Sequence, residues 1–347
     1  MLTLMTLKNF TVFAEADFHF GQNINAFIGE NGSGKSHALK AAYASVWVST
    51  KGEKESGSST PARNYLQGAL ARKYLGVFKP DELGRLARRN NGRSRSEVLV
   101  GFDRSACDLG FSFHGASKTE VTIEKLPTAW EQQIPAFLPT REMLTIYPNF
   151  VSLYEMSHVP FDETWRDISL LLGAPLAKVS REKRIKELLE PLESAMGGSV
   201  VLDNDRFYLK TDYGNMEMHL VAEGLRKLAT IARLVANGSL LAKGYLFWDE
   251  PEANLNPTNI KRMAKTILQL SQGGIQVFIA THSLFLMREL HILQQTKEFK
   301  NLDSRYFGLS IAEGAAAVHQ GPSMDDIGNI TSLDEELMQS NRYMELV

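Results

Sequence analysis

The stretch Gly29-Glu30-Asn31-Gly32-Ser33-Gly34-Lys35-Ser36 fills every fixed position of the phosphate-binding pattern G-x-x-x-x-G-K-[ST]. It follows an apolar run over residues 24–28, which predicts a buried strand, and it precedes a helix-like run over residues 37–43. Glycines let such a loop curl so that successive backbone N–H groups point at phosphate oxygens, and the helix start adds partial positive charge. The sequence therefore predicts a loop that binds the phosphates of ATP.

Two residues of this loop have specific predicted roles. Lys35 is expected to reach the β- and γ-phosphates, and the Ser36 hydroxyl is expected to ligate Mg²⁺. The remaining predicted nucleotide-binding residues of the loop are Gly29, Asn31, Gly32, Ser33 and Gly34.

Composition sets wide limits on the class of protein. The chain has 347 residues, of which 22% are charged, and a formal net charge of −2, so a globally basic nucleic-acid binder is not indicated. Its one cysteine, Cys107, excludes an intrachain disulfide and fits a reducing compartment. No apolar run approaches the length that crosses a bilayer, so we predict a cytoplasmic protein without a membrane partner.

Buried strands alternate with helices along the chain, which predicts an α/β fold with a mainly parallel sheet and nucleotide at its carboxyl edge. The coarse predictions are strands within 2–28, a helix over about 35–48, a polar surface loop over 49–64, an antiparallel meander over 96–126, helices over 142–196, a hairpin turn at 203–205 and a helix that opens at 222–224.

Two acids close a strongly apolar strand. Asp249 and Glu250 follow Leu246-Phe247-Trp248, where a carboxylate would lie at the same sheet edge as the phosphate loop. Asp249 is predicted to hold Mg²⁺, and Glu250 to take a proton from the attacking water or to orient it. His282 follows the next strand by two residues and is predicted to donate a hydrogen bond to the γ-phosphate.

The order and spacing of these motifs resemble the ABC-type ATPases of the RecF and SMC group. The nearest resemblance is to stand-alone AAA-family ATPases with an OLD-like head, many of which belong to bacterial anti-phage systems. The resemblance covers Leu2 to about Phe307 and rests on three stretches besides the phosphate loop: Leu7-Lys8-Asn9-Phe10, Asp249-Glu250-Pro251-Glu252-Ala253-Asn254-Leu255-Asn256-Pro257 and Thr281-His282-Ser283.

This resemblance implies an ABC-ATPase-like head, with an antiparallel β subdomain and a compact helical lobe. It also implies head-to-head homodimers with two composite ATP sites. The helix that starts near Ala222 would be the signature helix, whose residues Glu223 and Gly224 reach the γ-phosphate bound to the other subunit. The usual Ser-Gly-Gly opening is Ala222-Glu223-Gly224 here, so a carboxylate stands near an anionic ligand. We expect Glu223 to point away or to bind another group, and hydrolysis to be slow or partner-dependent.

The predicted domain organisation is one ABC-type ATPase domain over 1–347. Residues 1–140 and 240–347 form the predicted nucleotide-binding lobe, and residues 141–239 the helical, signature-bearing lobe. About 185 residues separate Ser36 from Ala222, which leaves no room for the long coiled coil of SMC proteins. Too few residues follow His282 for a fused nuclease, so we expect an effector on a separate polypeptide.

The loop before the helical lobe is open to more than one interpretation. Thr140-Arg141-Glu142 stands where related proteins carry a glutamine loop, but this chain has no glutamine there. Arg141 is expected to contact phosphate or a partner, and Glu142 to lie near Mg²⁺ or water, with an ordinary structural turn as the alternative.

The favoured functional hypothesis is a dimeric switch that binds and hydrolyses ATP and regulates or assembles with a separate effector, in bacterial anti-phage defence. The alternative is a RecF-like DNA-repair ATPase that acts directly on DNA, since nucleic acid would suit a basic run formed by Arg85, Arg88, Arg89, Arg93 and Arg95. A transporter subunit and a non-enzymatic ATP-binding scaffold fit the motifs less well.

Overall fold

The computed structural model of this chain describes residues 1–88, 95–176, 183–240 and 244–346. The strands are β1 Leu2–Phe10, β2 Phe13–His19, β3 Ile24–Gly29, β4 Arg95–Phe102, β5 Leu109–His114, β6 Thr122–Lys125, β7 Pro135–Leu138, β8 Ser199–Asp203, β9 Arg206–Thr211, β10 Gly214–Glu217, β11 Gly244–Asp249, β12 Ile275–Thr281, β13 Ser304–Ala312 and β14 Ala315–Gly321. The helices are α1 Lys35–Ser56, α2 Arg63–Phe78, α3 Phe150–Met156, α4 Glu163–Leu172, α5 Lys183–Met196, α6 Glu223–Ala236, α7 Pro257–Gln272, α8 Leu284–Gln294 and α9 Thr331–Met344. The predicted α/β fold class is confirmed.

The chain forms two compact units. Unit 1 comprises Met1–Pro135, Phe278–Leu284 and Leu302–Val347, and unit 2 comprises Ala136–Val277 and Phe285–Asn301. Strand β12 contributes residues to both units. Within the described ranges, no helix has the length and apolarity that a bilayer crossing requires. The lobe boundaries predicted from the sequence stay a prediction.

One sheet of unit 1 is antiparallel, with strand order β2-β1-β4-β5-β6. Strand β1 buries Met5, Leu7 and Phe10, while the residues between them are partly exposed. Phe10 packs edge-on against Tyr74 of α2, at 6.0 Å between ring centroids, which joins the helix to the buried face of the sheet. The predicted meander over 96–126 is confirmed as β4, β5 and β6.

The phosphate loop follows the strand β3, which is buried along its whole length in unit 1. β3 pairs in parallel with β13, and β13 pairs antiparallel with β14. The rings of Phe27 and Phe307 stack across the parallel pair at 4.8 Å between centroids. Parallel strands buried on both faces require such continuous apolar sequence, so this part of the sheet gives the loop a rigid base.

Helix α1 is longer than predicted. The polar sequence after residue 48 indicated a surface loop, but α1 continues to Ser56 and ends at Gly57, whose φ is +67° and whose N–H bonds to the Glu53 carbonyl at 3.1 Å. The extension packs inward through Gly52, since a Cβ there would lie 2.1 Å from the Trp130 ring. The loop prediction for 49–56 was wrong because this tertiary contact outweighs the low helix propensity of glycine.

Unit 2 carries a small antiparallel sheet of strand order β10-β9-β8 beside its helices. The predicted hairpin turn is confirmed: Asn204 and Asp205 have φ values of +46° and +60° between β8 and β9. Two left-handed residues in a row fit the twist of a tight hairpin. Helix α6 is buried on all sides over residues 227–235, including Leu228, Ile231 and Leu234, and forms the centre of the helical part of this unit.

Candidate nucleotide site

The predicted site residues fall into two groups, one in each unit. Those of unit 1 are Gly29, Asn31, Gly32, Ser33, Gly34, Lys35, Ser36 and His282, and those of unit 2 are Glu223, Gly224, Asp249 and Glu250.

Glycines shape the phosphate loop in unit 1. Gly34 has a φ of +100°, and a Cβ on it would lie 2.6 Å from Val12 Cγ2, so no other residue fits this position. Gly32 has a φ of +82° and no atom within 4 Å of its would-be Cβ, which leaves that side open. Ser33 closes the base of the loop by donating from Oγ to the Glu30 carbonyl at 2.8 Å.

Lys35 holds the loop together from inside. Its side chain is 6% exposed, and Nζ donates to the carbonyl oxygens of Gly29 at 2.7 Å and Glu30 at 2.8 Å. Hydrogen bonds from a charged donor are each worth about 1.5–3 kcal/mol. The ammonium therefore lies at the centre of the loop, where an anionic ligand would compete for it with backbone carbonyls.

The start of α1 has the features of an anion-binding helix end. Gly34 is its N-cap and provides no side-chain cap, and the first turn, which lies in the described part of the chain, contains no acidic residue. The first amide groups of a helix lack partners within the helix and carry part of the macrodipole. Ser36 follows in the first turn and brings a side-chain hydroxyl to this end of the helix.

His282 lies at the end of β12, in a stretch assigned to unit 1. His282 is exposed. A hydrogen bond from the Ser283 N–H to Thr281 Oγ1, at 3.0 Å, fixes the turn that contains it. An exposed imidazole on a turn fixed in this way lies within reach of solvent and of a ligand at the end of the strand.

In unit 2, β11 is buried from Gly244 to Trp248, and its acids emerge at the end of the strand. Asp249 and Glu250 are both partly exposed. Glu250 has a φ of +50°, a left-handed conformation that costs a non-glycine residue about 1–3 kcal/mol and clusters at functional sites. The turn that begins here therefore carries strain at the predicted base.

Lys227 of α6 lies beneath this turn. The residue is 3% exposed, and Nζ donates to the Glu250 carbonyl oxygen at 3.1 Å. Burial lowers the pKa of Lys227 to about 8, although the nearby carboxylates, Glu252 foremost, raise it in opposition. A buried ammonium thus stands among the acids of unit 2.

Glu223 and Gly224, the predicted signature residues, contact the turn after the acidic strand. Glu223 accepts a hydrogen bond from Asn254 Nδ2 at 2.9 Å, and Asn254 has a φ of +63°. Gly224 is buried, and a Cβ on it would lie 2.8 Å from Leu255 Cδ2. Of the two expectations for Glu223, that it points away or that it binds another group, the contact with Asn254 agrees with the second.

Glu142 is held by protein groups of unit 2. Its carboxylate accepts from Thr145 Oγ1 at 2.7 Å and forms an ion pair with Arg226 at 3.3 Å, with 5% of the Glu142 side chain exposed. These contacts favour the structural-turn alternative for Glu142, while Arg141 is exposed. Arg226, Lys227 and Asn254 were missed at the sequence level; the i, i+4 spacing of Glu223 and Lys227 on α6 was the available signal.

Two arginines of the basic run, Arg88 and Arg95, contact groups of unit 1. Arg88 donates to the carbonyl oxygens of Val12 at 2.7 Å and Gly314 at 2.9 Å, and Arg95 pairs with Glu124. Arg85 is exposed, and Arg89 and Arg93 lie outside the described residues. Contact with nucleic acid through this run stays a prediction.

Sequence comparisons match two stretches of the chain. Residues 131–288 match the family described as "AAA domain, putative AbiEii toxin, Type IV TA system", and residues 5–73 match an AAA domain. The lipoprotein-releasing system ATP-binding protein LolD of Aquifex aeolicus (strain VF5) is 34% identical over 77 residues, which are 22% of this chain and 33% of LolD. The chain thus spans about a third of the length of this curated relative.

Structural comparisons cover nearly the whole chain. An SMC head bound to the C-terminal winged-helix domain of ScpA is 15% identical, with a TM-score of 0.57, over 93% of this chain and 98% of that one. An SMC head with an extended coiled coil, bound to the C-terminal domain of ScpA derived from Pyrococcus furiosus, is 12% identical, with a TM-score of 0.55, over 98% and 99%. At these identities the likeness shows the fold. The predicted resemblance to AAA-family ATPases is confirmed by the two family matches, and the predicted resemblance to SMC heads is confirmed for the fold.

Proposed function

We propose that this protein is an ATP-binding and ATP-hydrolysing switch that dimerises through composite ATP sites and regulates a separate effector. The observation that carries the proposal is the phosphate loop, with an uncapped helix start, two left-handed glycines and a buried Lys35 at its centre. This arrangement suits the polyphosphate of a nucleotide, since backbone N–H groups and one ammonium neutralise charge without a specific base contact.

The proposed roles follow from the chemistry of each side chain. Lys35 moves from its loop carbonyls to the β- and γ-phosphates, and His282 donates to the γ-phosphate. Ser36, through its hydroxyl oxygen, and Asp249, through its carboxylate oxygens, carry the ligand types that suit Mg²⁺ and would hold it; the ion would supply positive charge to stabilise the phosphates. Glu250 orients the attacking water and accepts its proton. Glu223 and Gly224, at the start of α6, approach the nucleotide of the second copy.

The setting of a bacterial defence or toxin-regulating system is the finer part of the proposal. It is supported by the family description that names a toxin–antitoxin system and by the resemblance to stand-alone ATPases of anti-phage systems. We place the effector on a separate polypeptide, and the protein in the cytoplasm.

ATP binding is tested with Lys35→Ala, measured by titration calorimetry with and without Mg²⁺. Loss of a charged hydrogen-bond donor to phosphate should weaken ATP affinity about 10- to 100-fold or more. Lys54→Ala is the matched control, since Lys54 is exposed in the last turn of the same helix and should bind ATP like the wild type. Equal affinity of the Lys35 and Lys54 variants would refute the assignment of the loop.

Hydrolysis is tested with Glu250→Gln in a phosphate-release assay. Removing a general base should lower kcat about 10²- to 10⁴-fold, while ATP affinity stays near that of the wild type because the phosphate loop is intact. A Glu250→Gln protein that hydrolyses ATP at the wild-type rate would overturn the role of Glu250, and a wild type without ATP binding would overturn the function.

A further inference from the structure

Lys227 is buried where a lysine is costly. The residue is 3% exposed on the inner face of α6, and lysine is almost never fully buried unless it is paired. Its Nζ donates to a main-chain oxygen, that of Glu250, at 3.1 Å. Among the described residues this carbonyl accepts a hydrogen bond from the buried ammonium, and the cost of burying a lysine therefore points to a role beyond packing.

The carbonyl it binds belongs to the strained residue of the acidic turn. The Glu250 oxygen also accepts the Ala253 N–H at 3.2 Å, so two donors fix the direction of this peptide group. Glu250 has the left-handed φ of +50°, which persists only where surrounding contacts over-determine the backbone. Because the side chain leaves from the same residue, the orientation of this peptide also sets the direction of the Glu250 carboxylate.

Nearby carboxylates also interact electrostatically with the Lys227 ammonium. Burial lowers the pKa of Lys227, and the carboxylates of Glu252, Glu223, Glu250 and Asp249 oppose this shift by raising the pKa. Glu252 is itself only 6% exposed. The neighbouring basic residue, Arg226, is paired with Glu142 instead. Lys227 is therefore the basic residue of α6 that faces the acidic turn.

Helix α6 forms hydrogen bonds to this turn through two residues that are four positions apart, Glu223 and Lys227. Glu223 accepts from Asn254, and Lys227 donates to Glu250, so one face of the helix fixes the first and the last left-handed residues of the turn. A displacement of α6 then shifts the backbone of both residues.

We infer that Lys227 is a positioning residue for hydrolysis, which holds the Glu250 main chain so that the carboxylate is aimed at the attacking water and ties that aim to the signature helix. This inference rests on the proposed ATPase function. Lys227 touches neither phosphate nor water in this role; it acts through Glu250.

The test compares Lys227→Met with Lys73→Met. Methionine has a similar length and tolerates burial, but it lacks the donor and the charge. Lys73 is equally buried, at 2% exposed, and stacks over the Trp47 ring at 3.7 Å in unit 1, so its variant controls for the loss of any buried lysine. Thermal melts accompany both variants.

Two readouts are taken. In nucleotide-free protein, amide hydrogen exchange of the peptide over 250–255 should rise about tenfold in Lys227→Met and stay unchanged in Lys73→Met. In ATPase assays, Lys227→Met should lower kcat about 10- to 100-fold, as expected for a misplaced catalytic group, and leave the Kd for ATP within about threefold. In a Glu250→Gln background, Lys227→Met should cause no further loss of kcat.

Each result decides the inference. Faster exchange together with a selective loss of kcat supports it. Unchanged exchange, an unchanged kcat or an additive loss in the Glu250→Gln background overturns it. If the wild type does not hydrolyse ATP, the proposed function fails, and with it the catalytic part of the inference, while the exchange comparison still decides whether Lys227 holds the turn.

Discussion

At the scale of single residues, the phosphate loop has an unusual neighbour in His37. It follows Ser36 directly, its Nδ1 is buried without a hydrogen-bond partner among the described residues, and its ring packs edge-on against Phe78 at 5.8 Å between centroids. Burial, and the nearby charge of Lys40, lower the pKa of His37 below its usual value near 6.5. The imidazole is therefore neutral in the folded protein at pH values where the unfolded chain begins to bind a proton.

We expect His37 to make the folded state sensitive to mild acid. Below about pH 6.5 the unfolded chain takes up a proton at His37 that the folded chain refuses, so stability falls as the pH falls. The measurement is the free energy of unfolding in urea at pH 7.5 and at pH 5.5, for the wild type and for His37→Gln. The wild type should lose more stability than the variant between the two pH values. Equal losses would show that His37 titrates alike in both states.

Residues that belong to a binding motif were predictable from the sequence. Residues whose role depends on the tertiary packing around them were not. Gly34 and Lys35 belong to a pattern whose spacing follows from how a backbone wraps phosphate. Lys227 looks like one more charge on an amphipathic helix, and only the packing of α6 on the acidic turn shows that it is buried. The left-handed φ of Glu250 had no sequence signal either, since glutamate rarely takes it.

At the scale of elements, the second half of α1 shows that tertiary packing can determine where a helix ends. Serine, glycine and charged residues after residue 48 suggested a loop, because glycine costs about 1 kcal/mol in a helix interior relative to alanine. In the fold, only glycine at position 52 is small enough for α1 to pack against the Trp130 ring. Trp130 Nε1 also donates a hydrogen bond to the Ser58 carbonyl at 2.8 Å. These contacts join residues that are 72 or more positions apart in the sequence, so the local sequence pattern cannot predict them.

Two glycine-to-alanine variants separate helix propensity from packing. Gly52→Ala should destabilise the protein by about 1–3 kcal/mol, because the new methyl overlaps the Trp130 ring. Gly68→Ala in α2 should stabilise it by about 0.4–1 kcal/mol, since the only atoms near its would-be Cβ among the described residues are those of the flexible Arg72 guanidinium. Both values come from urea unfolding curves. A stabilising Gly52→Ala would contradict the packing that extends α1.

At the scale of the whole molecule, the fold carries less information about function than the sites. The SMC-head likeness covers nearly all of the chain, yet at 12–15% identity it specifies an arrangement of strands and helices and no effector. The order of motifs along the sequence made this fold predictable, because each motif fixes the end of a particular strand or the start of a helix. The partner was not predictable, since its recognition depends on surface chemistry that no motif encodes.

The proposed dimer gives Glu223 a measurable consequence. If the start of α6 approaches the nucleotide of a second copy, the Glu223 carboxylate opposes that approach electrostatically, while its hydrogen bond to Asn254 holds the local turn. Glu223→Gln removes the charge and keeps an oxygen that accepts from Asn254. Asn254→Gly removes the hydrogen bond, keeps the carboxylate and tolerates the φ of +63°.

We expect Glu223→Gln to strengthen the ATP-bound dimer about two- to fivefold, the range that one charge near a helix end provides. Both variants are made in a Glu250→Gln background, so that ATP is retained, and the dimer dissociation constant is measured by sedimentation with ATP and Mg²⁺. Tighter dimers of Glu223→Gln alone would assign the effect to charge, and tighter dimers of both variants would assign it to release of the turn. If neither variant changes the dissociation constant, the start of α6 does not face the nucleotide of the second copy, and the composite site is wrong.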